Sequence, residues 1–212
     1  SHVVTGNILS TINLLMALRS IEPPKVFIFS STIDVYSFAS ISIDEKSIPD
    51  PDSNYGISKL CCELICKSEV SRWKRTRFFI LRFAQIYGPG DTSKKAIPEF
   101  IRSVLQRKPI KLYGSGKEKR SYLYIEDAVN AINLALKSKN DGTYNISGKS
   151  RVNVKDVLDL INKFSPVRIS VNYLPRRKEA VDRCVNINKA KKLMGYLPKF
   201  SITEGIKETI ER

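Results

Sequence analysis

The sequence predicts an α/β protein built on the C-terminal portion of a doubly wound parallel sheet, with a small mixed α/β subdomain beside it. Three observations carry this expectation. Val26-Phe27-Ile28-Phe29 and Phe78 to Phe83 are short, continuous apolar runs, as parallel strands covered on both faces require. Between them, Tyr55 to about Trp73 places Leu60, Leu64 and Ile65 at helical spacing. Strand, loop, helix, strand is the rhythm of right-handed crossovers in a parallel sheet.

The remaining elements follow in order. Asn7 to Arg19 carries Ile8, Ile12, Leu15 and Leu18 on one face, so it is a helix, and Pro23-Pro24 ends that unit. Residues 37–54 have weak periodicity and read as a loop. Gly88-Pro89-Gly90 breaks the chain before a helix over Pro98 to Gln106, with proline in its first turn. Ile110 to Tyr113 is a short strand and Gly114-Ser115-Gly116 a turn. Ile125 to Lys137 is a helix, and Tyr144 to Ile146 a strand. Asn153 is expected to cap a helix through Phe164, and Asn188 one closed by Gly195. Ser201-Ile202-Thr203-Glu204 is a capping box for the terminal helix.

Composition excludes several classes. The 212 residues suffice for one large domain or two small ones. No apolar run approaches the ~20 residues that span a bilayer, and Ser1-His2-Val3-Val4 does not open a secretory signal. His2 is the only histidine, and Cys61, Cys62, Cys66 and Cys184 fit no zinc spacing, so no metal is expected. Unpaired cysteines suit a reducing cytoplasm. The net charge of +15 invites a nucleic-acid reading, but the basic residues are scattered and no nucleic-acid motif accompanies them. A basic surface with an anionic small ligand fits better, and neither nucleic acid nor membrane is expected as a partner.

Chemistry concentrates at Tyr55-Gly56-Ile57-Ser58-Lys59. A phenol and an ammonium four residues apart project from one face of a helix. A cation roughly 5 Å from a phenolate, at an effective dielectric near 20, favours ionisation by about 3 kcal/mol, bringing a tyrosine towards base strength at neutral pH. Thr32 stands 23 residues earlier, at the carboxyl end of a buried strand, where ligands sit in open α/β sheets. Leu81-Arg82-Phe83-Ala84-Gln85-Ile86-Tyr87-Gly88-Pro89 follows the next strand.

This three-part pattern resembles the extended short-chain dehydrogenase/reductases, the NAD-dependent nucleotide-sugar epimerases and dehydratases. The likeness runs along the chain. Asn7 to Leu15 resembles the family's N-V-x-G-T-x-N-L-L helix. Tyr113 to Asp127 resembles its G-x-G-x-x-R-D-F-I-Y-V-D-D segment. Pro175 to Glu179 and Asn186 to Pro198 resemble P-x-R-x-G-D and D-x-S-K-A-x-x-x-L-G-Y-x-P.

The resemblance implies a Rossmann-type NAD-binding part over 1–87 and about 122–146, and a sugar-nucleotide subdomain over 88–121 and 147–212. It implies Tyr55 as the base that takes a sugar hydroxyl proton, and Lys59 as the cation that holds the nicotinamide ribose and lowers the Tyr55 pKa. Thr32 would bind the reacting oxygen, and Ser30 and Asn7 would border the cofactor. Arg120 and Arg176 would grip the substrate diphosphate, with Gln85 and Glu179 at the substrate. NAD is implied as cofactor, with NADP the lesser alternative. A homodimer is implied through helices 7–19 and 56–73.

Some positions depart from the family pattern. Gln85 replaces the usual Asn, Ser37 a Gly, Ser121 an Asp, and Lys178-Glu179 a Gly-Asp. No G-x-x-G-x-x-G occurs, so the resemblance implies that the family's first roughly 80–100 residues, with the pyrophosphate cradle, lie ahead of Ser1 or have been lost. The resemblance also makes Asp34 a candidate, because family dehydratases carry a carboxylate two positions after the Thr. Three roles stay open for it: a backbone contact in the turn, proton transfer, or a sugar-hydroxyl contact. Ile33 cannot supply the second acid of a dehydratase. The expected reaction is therefore epimerisation through transient oxidation at C4, with 4,6-dehydration or non-catalytic sugar-nucleotide binding as alternatives.

Overall fold

The computed structural model describes residues 2–37, 42–149, 151–165, 169–176 and 182–212. The chain is a mixed α/β protein. Strands β1 (Val26–Thr32), β3 (Arg77–Phe83) and β7 (Gly142–Ile146) form a parallel sheet in the order β1-β3-β7. Pairing runs from Val26 opposite Arg77 to Thr32 opposite Phe83, so the two strands end level.

Helices cover both faces of this sheet. On one face, α1 (His2–Leu18) and α2 (Asn54–Val70) pack together and bury Leu15, Cys66, Val70 and Trp73 against Phe27, Phe29 and Phe78. On the other, α4 (Ile125–Lys137) and α6 (Asn188–Met194) bury Ala128, Ala131, Ala135 and Met194 with Phe79, Leu81 and Tyr144. Alternate side chains of β3 thus serve different layers, which is why its sequence is apolar without interruption.

A second core lies beside the sheet. Helices α3 (Ala96–Leu105), α5 (Val154–Phe164) and α7 (Ile202–Glu211) enclose Ile97, Phe100, Ile110, Val157 and Ile206. Its strands are β4 (Gln85–Tyr87), β6 (Lys119–Tyr124) and β8 (Arg151–Asn153) in one sheet, and β5 (Ile110–Tyr113) paired with β9 (Val171–Leu174) in another. Although it lies between α5 and α7 in the chain, α6 packs on the first core, through Ala190 and Met194.

Local expectations meet mixed outcomes. The loop over 37–54 holds a two-residue strand, β2 (Ser42–Ile43), paired with β10 (Cys184–Val185). Asn153 precedes α5 but does not cap it by side chain; its amide donates to Asp156 at 2.7 Å instead. Asn188 lies inside α6, and Asn186 accepts its backbone N–H at 2.8 Å. Gly195 closes that helix at φ 69°, and the capping box at Ser201 and Glu204 is complete. None of the described helices is long and apolar enough to cross a membrane.

Candidate active site

The site begins where β1 ends. Thr32 closes the strand, and its Oγ1 accepts the backbone N–H of Asp34 at 3.2 Å, opening a single helical turn over Ile33–Val35. α2 starts directly against this turn. Ser53 caps the helix by accepting the Gly56 N–H at 3.0 Å. Gly56 is glycine because a Cβ there would collide with the Asp34 carbonyl and approach Pro51 at 2.9 Å. That contact brings Tyr55 to the turn carrying Thr32 and Asp34.

Tyr55 is 43% exposed and makes no hydrogen bond among the described residues. Burial first, and then the Asp34 charge, push its phenol above the ordinary tyrosine range. This corrects the sequence expectation that Lys59 lowers it. The physical reason is placement: the Lys59 Nζ lies over the Phe29 ring, 4.3 Å from its centroid. Burial shifts Lys59 below the usual lysine range, against the pull of Cys62, Cys66 and Glu63. Lys59 therefore sits close to neutral groups, without an ion pair among the described residues.

Other expected residues fall as follows. Ser30 is exposed near the end of β1. The Asn7 amide donates to the Ser58 hydroxyl at 2.9 Å, and the Asn7 carbonyl accepts from the Cys62 thiol at 3.3 Å, so Asn7 ties α1 to α2. Among the described residues, the Asp34 carboxylate makes no bond to backbone in the turn. It pairs with Arg183 at 2.8 Å, while Arg183 also donates to the Ile33 carbonyl at 2.8 Å. Glu179 lies outside the described residues.

Two cavities lie beside the turn after β1 and share lining residues, though neither lining includes Tyr55 or Lys59. A groove of about 990 Å³ is lined by Gln85, Arg120 and Arg176, with Lys94, Lys95 and Lys111 around them. A cavity of about 280 Å³ is lined by Thr32, Asp34 and Arg183, and shares Gln85, Lys95 and Arg120 with the groove. Arg176 pairs with buried Glu118 at 2.5 Å. Burial lowers the Arg120 pKa, and the nearby Arg176 and Arg183 charges push the same way. Arg120 lines both cavities, with Arg176 beside it in the groove and Arg183 in the smaller cavity, an arrangement suited to an anion. Sequence reasoning missed Arg183, because the chain separates it from Asp34 by 149 residues and no local motif marks it.

A twisted parallel sheet whose strand-end hydroxyl faces the first turn of a Tyr-x-x-x-Lys helix belongs to the class of extended short-chain dehydrogenase/reductases. The comparisons narrow the class: the model of the NAD dependent epimerase/dehydratase family matches residues 1–147, and the chain belongs to that family. It is 31% identical over 207 residues to an uncharacterized UDP-glucose epimerase, YtcB, of Bacillus subtilis (strain 168), covering 96% of this chain and 65% of that protein. It is 31% identical over 216 residues to the dTDP-D-glucose 4,6-dehydratase of Homo sapiens, covering 97% of this chain and 61% of that one. The fold superimposes with a TM-score of 0.89 on UDP-glucuronic acid 4-epimerase from Bacillus cereus in complex with UDP-glucuronic acid and NAD, at 30% identity, covering 98% of this chain and 67% of that one. The chain thus spans just under two thirds of the length of these two curated relatives.

Proposed function

We propose that this chain carries the catalytic and substrate-binding part of an NAD-dependent nucleotide-sugar 4-epimerase. The observation that carries the reading is that the two cavities share Gln85, Lys95 and Arg120 in their walls. A sugar nucleotide with its diphosphate on Arg120 and Arg176 reaches with its sugar into the cavity lined by Thr32. The Arg fork matches phosphate oxygens in pairs, and the lysines add charge without fixed geometry.

The residues present fit the nicotinamide end of NAD. The Tyr55 hydroxyl has no hydrogen bond and the Lys59 ammonium no ion pair among the described residues, so both are available to a ligand. Lys59 and Ser30 would hold that end, with Asn7 bracing α1 against α2 beside it. NAD, when bound, supplies a hydride acceptor that later returns the hydride. Thr32 donates a hydrogen bond to the sugar O4. Tyr55 takes the O4 proton as the hydroxyl becomes a carbonyl, and gives it back when the carbonyl is reduced. Lys59, with its ammonium over Phe29, serves the nicotinamide ribose rather than the phenolate. The Asp34 carboxylate is engaged by Arg183, and Ile33 brings no acid. This favours oxidation and re-reduction at C4 over 4,6-dehydration. The four free thiols suit a cytoplasmic setting, and a second copy on α1 and α2 would complete the assembly.

Incubation with a panel of nucleotide hexoses, with products identified by NMR, tests the reading. The expected product is the C4 epimer. A 4-keto-6-deoxy sugar would establish the dehydratase instead, and no turnover of any hexose would favour a non-catalytic binder.

A further inference from the structure

Behind the site lies a buried polar network that the chemistry above leaves unused. The Glu63 and Arg82 side chains are 0% and 4% exposed. Arg82 donates from Nε to Glu63 Oε1 at 2.9 Å and from Nη2 to Oε2 at 2.6 Å. Ser31, the neighbour of Thr32, donates its hydroxyl to Oε1 at 2.5 Å. The third arm of Arg82, Nη1, donates to Tyr36 Oη at 2.7 Å, and Tyr36 donates in turn to Asn145 Oδ1 at 3.0 Å. The network joins α2 to β1, β3 and β7. A buried ion pair adds little net stability over apolar residues of the same shape, so its location asks for another role.

Geometry supplies one. Tyr55, Lys59 and Glu63 follow at intervals of four along one side of α2. An uncancelled carboxylate at Glu63 would draw the Lys59 ammonium towards itself and oppose a phenolate at Tyr55. We propose that Glu63 and Arg82 are positioning residues for Tyr55 and Lys59: Arg82 cancels the Glu63 charge, and the shared contact with Ser31 sets α2 against the strand end that carries Thr32. The inference rests on the reading of Tyr55 as the base.

The remaining charges nearby are accounted for. α2 itself adds Cys61, Cys62, Cys66, Lys67 and Glu69, and Glu69 is paired with Arg19 at 2.6 Å. The turn after β1 adds Asp34, paired with Arg183. α1 carries His2 as its only titratable side chain, β1 carries none, and Arg77 of β3 reaches away to the Ser138 carbonyl. Lys59 lies below its usual range because burial outweighs the pull of Cys62, Cys66 and Glu63.

The test titrates Tyr55 directly, without cofactor, by NMR of the chain labelled with ¹³C at the tyrosine Cζ. Tyr55→Phe assigns the resonance. Arg82→Gln should move the Tyr55 titration to higher pH and Glu63→Gln to lower pH. Each shift should be about one pH unit, the Coulomb effect of one charge two helical turns (roughly 12 Å) away at a dielectric near 20. Arg82→Lys should restore most of the parent value. Identical titrations in folded variants, or shifts of the same sign, overturn the proposal. Where neither single variant folds, the neutral double variant Glu63→Gln/Arg82→Met decides, because such replacements keep the fold. It should keep the substrate KM and lose turnover at least ~10-fold, as misplacement of a catalytic group does; parent turnover overturns the proposal. Undiminished turnover in Tyr55→Phe would remove the base reading alone, leaving the titration result to stand or fall separately.

Discussion

At Tyr55 two influences compete, and the structure decides which is larger. Spacing alone suggests that Lys59 dominates and lowers the phenol pKa. Instead burial and Asp34 raise it, and Lys59 is turned over Phe29. The sign for a variant follows. Asp34→Asn removes a negative charge that opposes the phenolate, which favours ionised Tyr55, so its pKa falls. The rise of turnover with pH, which reports the base, should then move to lower pH. A pH–rate profile that stays in place, or moves upward, would show that Asp34 does not act on Tyr55. Thr32, Tyr55 and Lys59 are legible in the sequence because each belongs to a local pattern. Arg183 is not, since only the fold brings it to Asp34.

The elements α2 and β1 hold these residues at one place by two contacts. Gly56 lets the helix start touch the Asp34 carbonyl, and Glu63 clamps the next turns to Arg82. Gly56→Ala should force the helix away from the turn, destabilising the fold by about 1–3 kcal/mol, as overpacking does. Thermal unfolding would register the loss, and a parent-like midpoint would mean that the contact gives way freely. The helices and the strands β1, β3 and β5 are legible from periodicity and apolar runs. β6, β8, β9 and β10 are not. β8, β9 and β10 are short, β6 mixes charged and aromatic residues, and the β10 pairing is set by a partner distant in sequence, Ser42 opposite Cys184. Lys119 to Tyr124 mixes charged and aromatic residues because its buried and exposed ends serve the core and the groove in turn.

At the scale of the molecule, α1 and α2 use their inner faces on each other and on the sheet, yet keep large apolar residues outside. Leu9, Leu14 and Met16 of α1, and Ile57 and Leu64 of α2, are all exposed. The inner face is already satisfied by Leu15, Cys66, Val70 and Trp73. Two adjacent helices with apolar residues on their outer sides suit a two-fold partner presenting the same pair, because a self-complementary patch closes on itself. A stable contact of this kind removes about 800 Å² from each partner, an area that two helices of 17 residues can supply. Charge placed at the centre of such a patch meets its own copy across the two-fold axis and is desolvated there. Leu14→Asp combined with Leu64→Asp should therefore yield a folded monomer, because both positions are exposed within one chain. Light scattering should give twice the 24.0 kDa chain mass for the parent and the single mass for the variant. A parent that scatters as a monomer at high concentration would remove the two-fold assembly, and a variant that stays dimeric would move it to another face.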